Sequence, residues 1–117
     1  MARIFVYGTL KRGYSRSAAL QGEKFLGTAR TDTRYRMYNC GDYPGLVESP
    51  EGLSIEGELW EVSAECLKRL DEIEGVGNQL YKRAKVHLKT PHEREKAETY
   101  LYLRSTQGMP DCGARWV

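Results

Sequence analysis

Apolar and polar residues change their spacing along the chain, and the changes divide it into strands, one helix and connecting turns. Residues 3–7 form a β-branched and aromatic run that stops at Gly8, which predicts a short buried strand. Residues 11–15 read as a loop, and Ser15 or Ser17 is placed to cap a short helix around Ala18, Ala19 and Leu20. From Lys24 to Tyr38 the pattern predicts an extended, polar-decorated strand or strand pair, followed by a turn-rich segment, 39–45. Residues 53–62 predict another strand, in which Gly57 marks a bulge or a close backbone approach. Ser63 caps the strongest helix, 64–74, and Gly75 ends it in the C′ position. Two alternating segments follow, 80–89 and 98–104, and the polar stretch 91–96 between them predicts a hairpin. In the first, Leu80, Ala84, Val86 and Leu88 share one face, while Tyr81, Arg83, Lys85 and His87 share the other. The final dozen residues carry no periodicity.

Five or six strands with one strong helix predict a single α+β domain, 1–117, dominated by antiparallel sheet. A small β-barrel with the helix packed against it is the expected architecture, because closure removes exposed strand edges.

Composition narrows the function. A net charge of +2 from interspersed acids and bases provides little long-range field, which argues against nucleic acid as a partner. Arg30, Arg34 and Arg36 read as the wet face of a strand. Three scattered cysteines, Cys40, Cys66 and Cys112, lack any Cys-x-x-Cys spacing, and His87 and His92 stand apart from them. No metal site is expected, and the thiols read as reduced in a cytoplasmic setting. No apolar run is long enough for a membrane span or a signal peptide, so no membrane partner is expected.

The most informative segment is Leu67-Lys68-Arg69-Leu70-Asp71-Glu72-Ile73-Glu74-Gly75. At about 100° per residue, Glu74 falls above the apolar stripe of Leu67 and Leu70, whereas Glu72 faces solvent. Burial and the negative end of the helix dipole both disfavour a carboxylate there and raise its proton affinity. Periodicity leaves two alternatives open: an ion pair with an arginine, or a frayed last turn that lets Glu74 reach water. The second feature is the strand that breaks at Tyr7-Gly8-Thr9-Leu10. A turn of this kind exposes successive backbone N–H groups and can cradle an anion. Walker spacing is absent, and Lys11-Arg12 reads equally as a solvated turn.

Together these segments resemble the γ-glutamyl cyclotransferase-like family, including the γ-glutamylamine cyclotransferases. The likeness runs from Ile4-Phe5-Val6-Tyr7-Gly8-Thr9-Leu10 through Tyr43-Pro44-Gly45 and Glu56-Gly57-Glu58-Leu59-Trp60 to Leu70-Asp71-Glu72-Ile73-Glu74-Gly75, Tyr81 and the strand at 100–103. It implies a compact β-barrel with flanking helices, Glu74 as the catalytic acid/base, and Tyr7, Gly8, Thr9 and Leu10 as the substrate loop whose amides hold an α-carboxylate. It also implies Tyr81 at the pocket. The loop 76–79 lacks the proline often found after the family's Glu-Gly, a departure that bears on substrate choice.

The implied reaction uses no metal or cofactor: a γ-glutamyl amine or γ-glutamyl amino acid closes on itself, releasing 5-oxoproline and a free amine. A catalytically silent binding module for a small acidic ligand is the alternative on the same fold. Retention of the glutamate favours the enzyme.

Overall fold

The computed structural model describes all 117 residues. Seven strands and one helix follow in the order β1 (Ala2–Val6), β2 (Lys24–Arg30), β3 (Tyr35–Asn39), β4 (Pro44–Glu48), β5 (Glu56–Val62), α1 (Ala64–Ile73), β6 (Tyr81–Val86) and β7 (Ala97–Tyr102). Short 3₁₀ turns occupy Ser17–Leu20 and Val76–Asn78. The fold is α+β, built on one mixed sheet with one main helix.

The sheet runs β2-β5-β1-β7-β4-β3, with β6 on the other edge of β7. Four ladders are antiparallel, and the two that join β7 to β1 and to β4 are parallel. β1 and β4 thus share one edge of β7. β1 takes its beginning, pairing Arg3 with Ala97, and β4 takes its end, pairing Leu46 with Leu101. Between them the sheet forks, and β1 leaves the ladder at the fork. Closure into a barrel is not what the pairings show. The far strands approach through one isolated bridge, Thr31 with Leu88, rather than through a continuous ladder.

Alternation on the strands sends side chains into two cores, one on each face of the sheet. Phe5, Tyr35, Met37, Leu46, Ile55, Leu59 and Leu101 pack inside the curved sheet. Ile4, Val6, Trp60, Val62, Tyr81 and Tyr100 pack on the other face, against Cys66 and Leu70 of α1 and Leu20 of the first 3₁₀ turn. Tyr81 is buried in the second core, although Lys85 and His87 of the same alternating side are exposed.

Other differences from the sequence reading have local causes. No serine caps the turn at Ser17–Leu20: Arg16 holds the cap position without a side-chain bond, because the segment makes only one 3₁₀ turn. Gly57 serves a close approach. A Cβ there would sit 2.3 Å from the Val6 carbonyl oxygen, and the register shift falls on β2 between Phe25 and Gly27. The strand β4 was hidden by Pro44-Gly45, which read as the end of a turn. Arg30, Arg34 and Arg36 each meet a carboxylate, from Glu56, Asp32 and Asp111. The three cysteines are free thiols, and no helix is long and apolar enough to cross a membrane.

Candidate functional site

The loop after β1 is set by the fork. The Tyr7 hydroxyl donates to the Tyr100 carbonyl of β7 at 2.7 Å and accepts from the Leu46 amide of β4 at 3.3 Å. One phenol, just past the end of β1, therefore ties β7 to β4 where β1 leaves the ladder. Gly8 comes next because nothing larger fits: an added Cβ would lie 2.6 Å from Pro44 Cγ. The loop is tied down behind, by the Lys11 amide to the Gly8 carbonyl at 3.1 Å and the Arg16 amide to the Thr9 carbonyl at 2.8 Å. The Arg12 amide donates to buried Glu58 at 3.0 Å. By contrast, the amides of Gly8, Thr9 and Leu10 donate to no backbone acceptor, although all three residues are buried. Three successive loop amides without a partner in the chain, on residues that line a cavity, offer donors to an acceptor from outside the chain.

The helix delivers Glu74 to the same place. Ser63 starts α1, its hydroxyl accepting from the Cys66 amide. Cys66 and Leu70 are the residues buried on the helix, so the apolar stripe is centred on them, with Leu67 at its margin. Glu74 follows Leu70 by four residues, on the same face. It is the C-cap, and Gly75 then takes φ 67° in the left-handed region, which returns the chain through the Leu80 amide to the Gly75 carbonyl at 3.1 Å. Glu72 is exposed.

Glu74 lines a small, open cavity with Phe5, Val6, Tyr7, Gly8, Thr9, Leu10, Tyr43, Pro44, Tyr81 and Tyr100. Burial pushes the Glu74 carboxyl up to about 7, opposed only by the positive charge of Arg16 at the rim. No hydrogen bond to the carboxyl contributes and it forms no salt bridge, so the arginine ion pair left open by periodicity is absent, while the half-buried side chain at the C-cap keeps part of its surface in solvent.

The tyrosine wall is anchored outward. Tyr81 donates to the Pro44 carbonyl at 2.5 Å and Tyr100 to Asp71 at 2.7 Å. Burial raises the phenols of Tyr7, Tyr81 and Tyr100, and the charge of Glu74 adds to the rise in each, so all three stay protonated at neutral pH.

The structure thus brings Tyr7, Gly8, Thr9, Leu10, Glu74 and Tyr81 around one cavity. Sequence reasoning did not single out Tyr100, Tyr43 or Pro44. Tyr100 carried a usable signal: it is an aromatic on the polar side of an alternating strand, which marks a second buried face.

In this mixed-sheet domain, a half-buried carboxyl of raised proton affinity and three loop amides with no backbone acceptor line the same cavity. Comparison with known proteins gives the family. Residues 4–116 match the family model described as gamma-glutamyl cyclotransferase, AIG2-like, and the chain belongs to that family. The Escherichia coli K12 gamma-glutamylcyclotransferase family protein YtfP is 31% identical over 107 residues, covering 92% of this chain and 88% of its own length. A Vibrio cholerae relative is 42% identical over 73 residues, a stretch that spans only 62% of either protein. The crystal structure of a mouse AIG2-like protein superposes with a TM-score of 0.75 at 25% identity, covering 97% of this chain and 87% of that one.

Proposed function

We propose that the protein is a γ-glutamyl cyclotransferase, releasing 5-oxoproline and a free amine from a γ-glutamyl amine or γ-glutamyl amino acid. The observation that carries this reading is the meeting of a carboxyl with a pKa of about 7 and three unpaired loop amides across one cavity. The amides of Gly8, Thr9 and Leu10 hold the α-carboxylate, which aims the α-amine at the γ-carbonyl. The reaction is intramolecular, so orientation lowers much of the barrier. The amine nitrogen bonds to the γ-carbon, and the bond from that carbon to the departing amine breaks.

Proton traffic remains. Glu74, as the carboxylate, takes a proton from the substrate ammonium and gives it to the departing nitrogen; the second proton, shed as the attacking nitrogen becomes the lactam N–H, also ends on the released amine, which leaves as an ammonium. A group with a pKa near the working pH serves both steps. Among kinetic consequences, kcat/KM rises with pH through about 7 as Glu74 ionises.

The test is a panel of γ-glutamyl amines and dipeptides, read by mass detection of 5-oxoproline. Glu74→Gln is expected to lower turnover by about 10²–10⁴-fold with the fold intact. Equal turnover by wild type and Glu74→Gln overturns the mechanism. Tight binding of 5-oxoproline with no turnover across the panel makes the protein a binding module instead.

A further inference from the structure

Asp71 stands one turn before Glu74 on α1, and neither the loop amides nor the proton transfers engage it. Its two carboxylate oxygens are held by different side chains. The Tyr100 hydroxyl donates to Oδ1 at 2.7 Å, and Arg83 Nη1 donates to Oδ2. Arg83 and Tyr100 face each other directly across the β6–β7 ladder, so a single cross-strand pair grips a single carboxylate. Arg83 Nε also reaches Glu98 at 3.3 Å, which spreads its charge over two acids. Tyr100 is 3% exposed and lines the cavity beside Glu74, and its own carbonyl accepts from Tyr7. A connected path of hydrogen bonds therefore runs from the first residue of the loop, through Tyr100, to the helical turn that ends in Glu74.

We propose that Asp71 is a positioning residue of the site: through Tyr100 and Arg83 it pins the last turn of α1 to the β6–β7 hairpin and fixes the Glu74 carboxyl against the Gly8–Leu10 amides. The consequence for rate rests on the cyclotransferase reading; the consequence for Glu74 itself does not. Helix ends fray, and α1 has only ten residues. Its last turn has one other side-chain tie, exposed Arg16 to the Ile73 carbonyl at 3.4 Å, which is long for a hydrogen bond. Misplacement of a catalytic group by about an ångström costs about 10²-fold in rate, so the pin is worth its residues. The titratable and charged groups around Glu74 are exposed Arg16, Tyr7 from the exit of β1, Tyr43 from the turn before β4, Tyr81 from β6 and Tyr100 from β7. Arg16 alone among them favours the carboxylate, so holding Glu74 among the tyrosines keeps its proton affinity high.

The experiment is a ¹³C-carboxyl NMR titration of Glu74, assigned by its loss in Glu74→Gln, in full-length wild type, Asp71→Ala, Asp71→Asn and Tyr100→Phe. An unpinned turn lets Glu74 reach water. Its midpoint is then expected to fall from about 7 by a unit or more in Asp71→Ala and Tyr100→Phe, about tenfold in proton affinity. Asp71→Asn, which can still accept from Tyr100, is expected to recover part of the shift. On an active substrate, kcat falls about 10- to 100-fold in Asp71→Ala while KM changes less than about threefold. Tyr100→Phe keeps the buried ring, so it reports even where Asp71→Ala does not fold. A folded Tyr100→Phe or Asp71→Ala that titrates at the wild-type midpoint overturns the proposal, whatever its activity. A wild type that turns over nothing sinks the cyclotransferase reading and leaves the titration to judge Asp71.

Discussion

Glu74 is ionised at neutral pH in the unfolded chain and half-buried beside four tyrosines in the fold. The difference in proton affinity is a statement about stability. Between pH 4.5 and about 7 the folded protein holds a proton that the unfolded chain has released, so this residue's contribution to stability falls as pH rises. Above about 7 the cost is fully present, and below 4.5 it vanishes. Glu74→Gln is therefore expected to be more stable than wild type by about 1–2 kcal/mol at pH 8, an amount reduced for the residue's partial exposure, and equal to it at pH 4. Urea unfolding at both pH values measures this, and a gap independent of pH contradicts it. That Glu74 lies on the inward side of the helix was legible from its place above the Leu67 and Leu70 stripe, because a helix repeats its faces, although the buried stripe is centred on Cys66 and Leu70. That the positive charge acting on it is Arg16, which forms no salt bridge with it, was not legible, since Arg16 comes from a loop more than fifty residues earlier, a distance no local pattern encodes.

The elements obey two kinds of rule, and sequence exposes only one of them. Alternation and capping are local, and they marked β5, β6, β7 and α1, with boundaries no more than three residues off. Close approach is not local. Gly57 and Gly45 sit inside strands because something crosses over them: the Val6 carbonyl and the Phe5 ring over one, Tyr102 over the other. A glycine after a proline reads as a turn in any window, so β4 was missed until its neighbour on β7 was known. Gly57→Ala is expected to cost about 3 kcal/mol or more, because a Cβ at 2.3 Å from a backbone oxygen forces β1 and β5 apart. Gly77→Ala, with open space around it and an ordinary φ, is the matched control and is expected to change stability by less than about 0.5 kcal/mol. Thermal or urea melts of the two variants settle the matter, and equal losses would show that crowding at Gly57 is relieved elsewhere.

In the whole molecule the site exists because the sheet is forked, a property that belongs to no single segment. Parallel pairing of β1 and β4 to successive halves of β7 joins residues up to about a hundred positions apart, and nothing in the strand patterns forecasts it. The ladder between β4 and β7 is short, with Leu46 and Leu101 as its pair, so the Tyr7 hydroxyl carries part of the connection. This gives Tyr7 a duty apart from any ligand. Tyr7→Phe keeps the ring in the core and leaves two buried backbone groups, the Tyr100 carbonyl and the Leu46 amide, without that partner. A loss of about 2–4 kcal/mol is expected in urea unfolding, and amide exchange at Leu46 should quicken more than at Leu59, which is paired on the far side of the fork. Uniform acceleration across the sheet would mean that the hydroxyl stabilises the domain as a whole. Acceleration confined to β4 and the Gly8–Leu10 loop would mean that one phenol holds the fork, and with it the cavity, in shape.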